Sequence, residues 1–247
     1  MQDKITGINA VTEALQGGRK VEMIYLLEGP ESKRITAVKE EAIRQKLPVK
    51  FLKRERMDQM VGNDRHQGII ALVEAYSYSS LEDVVALAAR RNEIPFVVLL
   101  DEIEDPHNLG AIIRTAECAG VHGIIIPRHH AAEITPAVSR ASAGAVEHML
   151  VVKATNLVNV IKDLKSLGFW IVGADMEGQQ EYFSCSIPTP AALVIGSEGK
   201  GIRRLVREHC DLLLRIPLYG KVNSLNASVA GALLIYEVIR QREMSMK

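Results

Sequence analysis

The chain has 247 residues, 47% of them hydrophobic and 24% charged. That length accommodates one large domain or two modest ones, and the balance excludes disordered and fibrous classes. Thirty basic side chains against 30 acidic ones give a formal net charge of zero, which excludes a broad electrostatic grip on nucleic acid.

Residues 8–16 place Ile8, Val11 and Leu15 at helical spacing, and Gly17-Gly18 stops the pattern. VEMIYLL (21–27) reads as a strand, and the stretch 32–46 as a helix with Ile35, Val38 and Ala42 on one face. PVKFL and GIIALVEA read as two more strands, the second following His66-Gln67-Gly68. Residues 1–75 therefore form a small α/β unit. The polar cluster 76–80 begins a linker over 76–93, in which residues 81–91 read as a bridging helix. From residue 94 to 247 the strands come as continuous apolar runs, FVVLL, GIII, WIVGA, AALVIG and DLLLRI, separated by helical stretches. Continuous runs suit strands buried on both faces, so the second domain is an α/β fold with a mostly parallel sheet. The first ten residues lack a signal-peptide pattern and no apolar run spans a membrane, which makes a cytoplasmic protein the expectation. Three scattered cysteines, and histidines without ligand spacing, predict neither a disulfide framework nor a metal site.

Ligands of parallel sheets bind at the carboxyl ends of strands. Three such ends carry polar or glycine-rich loops: 101–114 (DEIEDPHNLGAIIR), 196–201 (GSEGKG) and 217–226 (PLYGKVNSLN). The second is G-x-x-G-x-G, neither the dinucleotide fingerprint nor a P-loop. Its glycines fit either close approach by an adenosine-like ligand or tight-turn dihedrals. Taken singly, the polar residues have plain readings. Asn108 reads as a helix N-cap, and Asn223 or Ser224 as the cap of the last helix. Arg114 and Glu117 read as a surface ion pair, and Glu198 as a solvated turn carboxylate.

Together these residues resemble a family. Asn108-Leu109-Gly110 with Arg114, then Gly196-Ser197-Glu198-Gly199 with Gly201, then Ile216-Pro217 with 224–230 (SLNASVA) follow the three-motif order of the SpoU (TrmH) branch of SPOUT RNA methyltransferases. GINAVTEAL near the start and HQGIIA at 66–71 are similar to the N-terminal substrate-binding domain of the RlmB-type members, which methylate a guanosine ribose in 23S ribosomal RNA. The resemblance implies a C-terminal domain with a deep trefoil knot, a homodimer, S-adenosylmethionine as methyl donor and ribosomal RNA of the large subunit as partner. It implies a catalytic cluster of Asn108, Arg114, Glu198, Ser224 and Asn226. It implies donor binding by Gly196, Glu198, Gly199, Ile216 and Leu225.

A guanidinium is a permanent cation, so Arg114 is expected to hold a phosphate and the developing alkoxide, with the general base left open. For the RNA the expectation falls on Arg44, Lys46, Lys50, Lys53, Arg54 and Arg56, a net of +5 in 44–56. A solvated surface is the plain alternative for that run. Lys200, Arg203, Arg204 and Arg207 form a second basic run beside the glycine loop. Two other readings stand beside this one: the same methylation on another RNA such as tRNA, and a non-catalytic RNA-binding or ribosome-assembly protein.

Overall fold

The computed structural model describes residues 2–62 and 65–245. The chain forms two compact units, Met1–Ser77 with Glu133–His148, and Tyr78–Ala132 with Met149–Lys247.

In the first unit the elements run β1 (Gln2–Thr6), α1 (Ile8–Gln16), β2 (Val21–Leu27), α2 (Lys33–Arg44), β3 (Val49–Leu52), α3 (Arg54–Val61) and β4 (Ile69–Glu74). The sheet order is β1-β4-β2-β3, with β2 and β3 parallel and the other pairs antiparallel. Ala10, Val11, Ala14 and Leu15 of α1 and Val38 and Ala42 of α2 pack with buried Ile5, Ile24, Leu26 and Ile69. Ser32 starts α2, its side chain accepting from the Ile35 amide.

The second unit begins with α4 (Leu81–Arg91) and β5 (Phe96–Asp101), followed by α5 (Pro106–Cys118) and β6 (Gly123–Pro127). The chain then contributes α6 (Pro136–Ala141) and a 3₁₀ turn (Ala145–His148) to the first unit. It returns as β7 (Val151–Ala154), α7 (Leu157–Ser166), β8 (Trp170–Ala174), β9 (Gln180–Glu181), β10 (Ala191–Gly196), α8 (Arg204–Glu208), β11 (Leu212–Arg215) and α9 (Ala227–Ser245). The sheet order is β7-β6-β5-β10-β8-β11-β9, and every pairing is parallel. All six residues of β5 are buried, as the unbroken apolar run requires. From β5 the chain winds outward to β6 and β7, then crosses to β8, and β10 later fills the place between β5 and β8. That reversal makes the topological switch point where ligands of such sheets sit.

The boundaries expected at 75 and 94 differ from this division in two places. The stretch read as a bridging helix packs Val84 into the core of the second unit, so it is part of that unit rather than a free linker. Its N-terminus is closed by a capping box between Ser80 and Asp83. Residues 133–148 belong with the first unit, and small residues allow it. A Cβ on Gly17 would stand 2.7 Å from the Glu147 Cβ, and one on Gly144 would stand 2.5 Å from the Glu13 Cβ. Arg19 then reaches both Glu147 (3.0 Å) and Asp3 (2.8 Å). Burial pushes the Glu147 carboxyl above its ordinary range, and the Arg19 guanidinium pulls against that shift.

The helix starts also differ. Asp105 caps α5, accepting from the His107 amide, with Pro106 in the first turn. Asn108 therefore lies inside the first turn, its side chain free for tertiary contacts. Asn226, rather than Asn223 or Ser224, caps α9 by accepting from the amides of Ser228 (3.0 Å) and Val229 (3.3 Å). Among the described residues no helix is long and apolar enough to cross a membrane.

Candidate active site

A cavity of 380 Å³ opens at the carboxyl ends of β10, β8 and β11. The loops after these strands form its walls: 196–202, 174–177 and 216–225. Gly196, Glu198, Gly199, Ile216, Ser224 and Leu225, all singled out from the sequence, line it. The loop 174–177 lines it too and went unnoticed, because ADME carries no motif; its only signal is its place after the apolar run WIVGA.

The glycine loop is a closed turn. Ser197 and Gly201 exchange backbone hydrogen bonds at 3.2 and 2.9 Å. Gly199 and Gly201 have φ of 78° and 67°, the left-handed region that glycine enters without penalty. A Cβ on Gly196 would lie 2.1 Å from the Gly201 carbonyl carbon, so the loop's own backbone requires glycine there.

Asp101 clamps the far end of this loop. It ends β5 directly beside Gly196, and its fully buried carboxylate accepts from the Arg203 amide (2.8 Å) and the Arg203 guanidinium (2.7 and 2.8 Å). The arginines of the second basic run are thereby paired with carboxylates while their own side chains stay at the protein surface. Arg203 pairs with Asp101, Arg204 with Glu208 (2.7 Å), and Arg207 with Asp175 (2.8 Å) and Glu177 (3.0 Å). These acids lie up to 102 residues away in the chain, so local charge counting overstated the run.

Three of the five residues of the expected cluster converge on one atom. Glu198 Oε1 accepts from Asn108 Nδ2 (2.9 Å), Asn226 Nδ2 (2.5 Å) and the Ala227 amide (3.2 Å). Asn226 Nδ2 also donates to Asn108 Oδ1 at 2.8 Å. The three motifs, 90 and 28 residues apart, are thus joined by hydrogen bonds, and the solvated-turn reading of Glu198 is replaced. Ser224 lines the cavity outside this network. Arg114 is exposed on α5 and forms no ion pair with Glu117. At Gly231 a Cβ would stand 2.9 Å from the Ile195 side chain, so the small residues of α9 let it press onto β10. Cys210, packed at Gly173, is pushed by burial up to about 12 and is no nucleophile.

The six basic residues of 44–56 are spread from the end of α2 through β3 to the start of α3. Arg44 ends α2 beside Glu41, Lys50 lies on the edge strand β3, and Lys53, Arg54 and Arg56 stand at the start of α3. All six are exposed.

Residues 95–236 match the SpoU rRNA Methylase family, and residues 4–79 match the family described as RNA 2′-O ribose methyltransferase substrate binding. The chain belongs to the SpoU methylase family. YacO of Bacillus subtilis (strain 168), named as a TrmH family tRNA/rRNA methyltransferase, is 45% identical over 240 residues, covering 97% of this chain and 96% of its own. The SpoU methyltransferase AviRb from Streptomyces viridochromogenes, solved in complex with AdoMet, superposes with a TM-score of 0.80 at 26% identity, covering 98% of this chain and 91% of its own. An AdoMet-bound rRNA methyltransferase from Sinorhizobium meliloti gives 0.78 at 25%, covering 97% and 87%. Family membership carries the coarser activity: this protein is an RNA 2′-O-ribose methyltransferase of the TrmH/SpoU type.

Proposed function

We propose that the protein transfers the methyl group of S-adenosylmethionine to the ribose 2′-hydroxyl of a guanosine in 23S ribosomal RNA, in the cytoplasm. The observation that carries this reading is the meeting of Asn108, Glu198 and Asn226 beside the 380 Å³ cavity. The SpoU rRNA Methylase match over residues 95–236 supports ribosomal RNA, and the substrate-binding match over residues 4–79 supports an RNA substrate held by the first unit.

The cavity suits the donor. Ser197 Oγ is buried there without a partner among the described residues, an orphan that a ligand would satisfy. The flexible glycine backbone, with Ile216 and Leu225 on the opposite wall, offers amides and apolar surface to a flat purine. S-adenosylmethionine, when bound, supplies an electrophilic methyl group. The protein's own residues act on the RNA and on the loops. Glu198 Oε1 is saturated by three donors, so Glu198 serves as the anchor that holds the loops together. Asn108 and Asn226 fix that anchor, and Ser224 faces the cavity as a donor for substrate or methyl donor. Arg114 makes no ion pair among the described residues, so its guanidinium is free to hold the phosphate next to the target ribose and the oxygen as it loses its proton. Orientation of this kind supplies much of the rate in such transfers.

The functional form is a homodimer. α9 exposes Val229, Leu233 and Tyr236 at spacings of four and three residues, one helical stripe. Beside it in sequence, Tyr219 is 90% exposed and Val222 73%. Apolar groups held this far into water mark an interaction surface, and a second copy covers it here. Sedimentation at micromolar concentration checks the dimer.

The test of the substrate uses labelled donor with unmodified 23S rRNA and, separately, tRNA transcripts, followed by mapping of the methylated ribose. Transfer to one guanosine of 23S rRNA is the expected result. Transfer only to tRNA moves the substrate, and no transfer by a folded, donor-binding dimer overturns the reading.

A further inference from the structure

A second cavity, of 610 Å³, lies within the first unit at the carboxyl end of β2, where the chain turns into α2. Its size is that of a site for a nucleotide. One wall is apolar: Ile8 and Ile35 pack on the core with one side and border the cavity with the other, beside Leu27. The facing loop is held rigidly. His66 is 5% exposed; its Nδ1 accepts from the Gly68 amide at 3.0 Å and its Nε2 donates to Asp58 at 3.1 Å. This fixes Gln67 at a φ of 53°, a region that non-glycine residues rarely adopt. Gln67 Oε1 accepts from the Ile8 amide at 3.2 Å, and its amide nitrogen makes no hydrogen bond among the described residues.

The charges at the rim are unequal. Glu31 is engaged by Lys39 at 2.7 Å, and Asp58 by His66. Arg65 makes no ion pair among the described residues, and Arg54 has only Asp58 at 3.9 Å. Two guanidinium groups therefore remain beside an apolar slot with a carboxamide at its edge. A flat ring against the apolar wall, a base edge read by an amide and a phosphate held by arginine are the elements by which proteins take up unpaired nucleotides.

We propose that this cavity binds one unpaired nucleotide of the substrate RNA, in addition to the nucleotide that is methylated. The proposal rests on the reading of the protein as an RNA methyltransferase. Of the six basic residues at 44–56, only Arg54 borders the cavity. The site therefore places a base contact at the loop 65–68, apart from the phosphate contacts expected of that run.

The test is photo-crosslinking of the full-length protein to 23S rRNA transcripts carrying 4-thiouridine or 6-thioguanosine, with adducts mapped by mass spectrometry. Kinetics of Arg65→Ala and Lys50→Ala accompany it. Adducts in peptides spanning 27–35 or 65–68 are expected, and Arg65→Ala removes them. Arg65→Ala raises the KM for RNA about tenfold, the loss of one charge-assisted contact, while kcat and the KM for donor stay level. Lys50→Ala, outside the cavity, changes the KM for RNA less than about twofold. Adducts confined to 44–53, or an unchanged KM in Arg65→Ala, overturn the proposal. Crosslinks are read independently of methylation: adducts elsewhere with methylation intact strike this site alone, whereas absence of methylation strikes the functional reading.

Discussion

The two ends of the seven-stranded sheet are both rich in polar side chains, and they use them differently. At the amino end most of the partners are backbone groups. Buried His122 accepts from the Phe96 amide at 3.1 Å and meets Glu93 at 2.9 Å. Arg242 donates to the carbonyls of Ile94 (2.9 Å) and Pro95 (2.8 Å), with its guanidinium 5.0 Å from the Phe96 ring. These contacts pin the end of α9 to the entry of β5. At the carboxyl end side chains bind one another around a cavity, leaving Ser197 Oγ without a partner and Arg114 in solvent. The first arrangement consumes its hydrogen bonds on the fold, save at Arg242 Nε, which is buried with no partner among the described residues; the second leaves Ser197 Oγ on a cavity wall where a ligand can reach it. The ends should therefore respond to mutation in opposite ways, the carboxyl end in catalysis and the amino end in stability.

Arg114→Ala is the sharpest way to break that contrast. It should lower single-turnover methyl transfer by about a thousandfold or more. Because Arg114 is exposed and forms no ion pair among the described residues, the melting temperature should stay within about 1 °C. A large drop in melting temperature would make it a structural residue. Glu198→Ala removes the acceptor of three donors, and should cost about a hundredfold in transfer by letting the loops separate. Asp101→Asn keeps the shape but weakens the clamp on Arg203. A rise of about tenfold in the KM for donor, with kcat within about threefold, is expected in initial-rate measurements.

The smallest effect lies at the amino end and depends on pH. Burial pulls the His122 imidazole below its ordinary 6.5, with Glu93 opposing. A lowered value means that the native state favours neutral His122. Its contribution is fully present above pH 6.5 and is lost as pH falls through the lowered value. His122→Asn should lower the melting temperature at pH 7.5 by about 2–4 °C and flatten its fall between pH 6.5 and 5, with transfer unchanged. A change in transfer without a change in melting would reverse the contrast.

The continuous runs announced the parallel sheet because a strand buried on both faces has no polar face to show. The three motifs announced the site because each sits at a strand end. Other features were silent for physical reasons. β1 buries only Ile5 and Thr6, and α3 only Met57, so neither carries a periodic apolar face. Asn108 looked like a cap until Asp105, three residues earlier, took that place. The partners of Arg203 and of Arg19 lie 102 and 128 residues away, and no local pattern encodes such pairings. The zero net charge proved uninformative for a related reason: a sum does not show which single guanidinium groups, such as those of Arg114 and Arg65, are left without an ion pair among the described residues.

On the proposed function, the carboxyl end of the sheet holds the donor with one set of residues and the RNA with another. Calorimetric titration of S-adenosylmethionine into the Arg114→Ala protein tests it directly. An affinity within about threefold of the parent is expected, since Arg114 does not line the 380 Å³ cavity. A loss of about tenfold or more in donor affinity would contradict it.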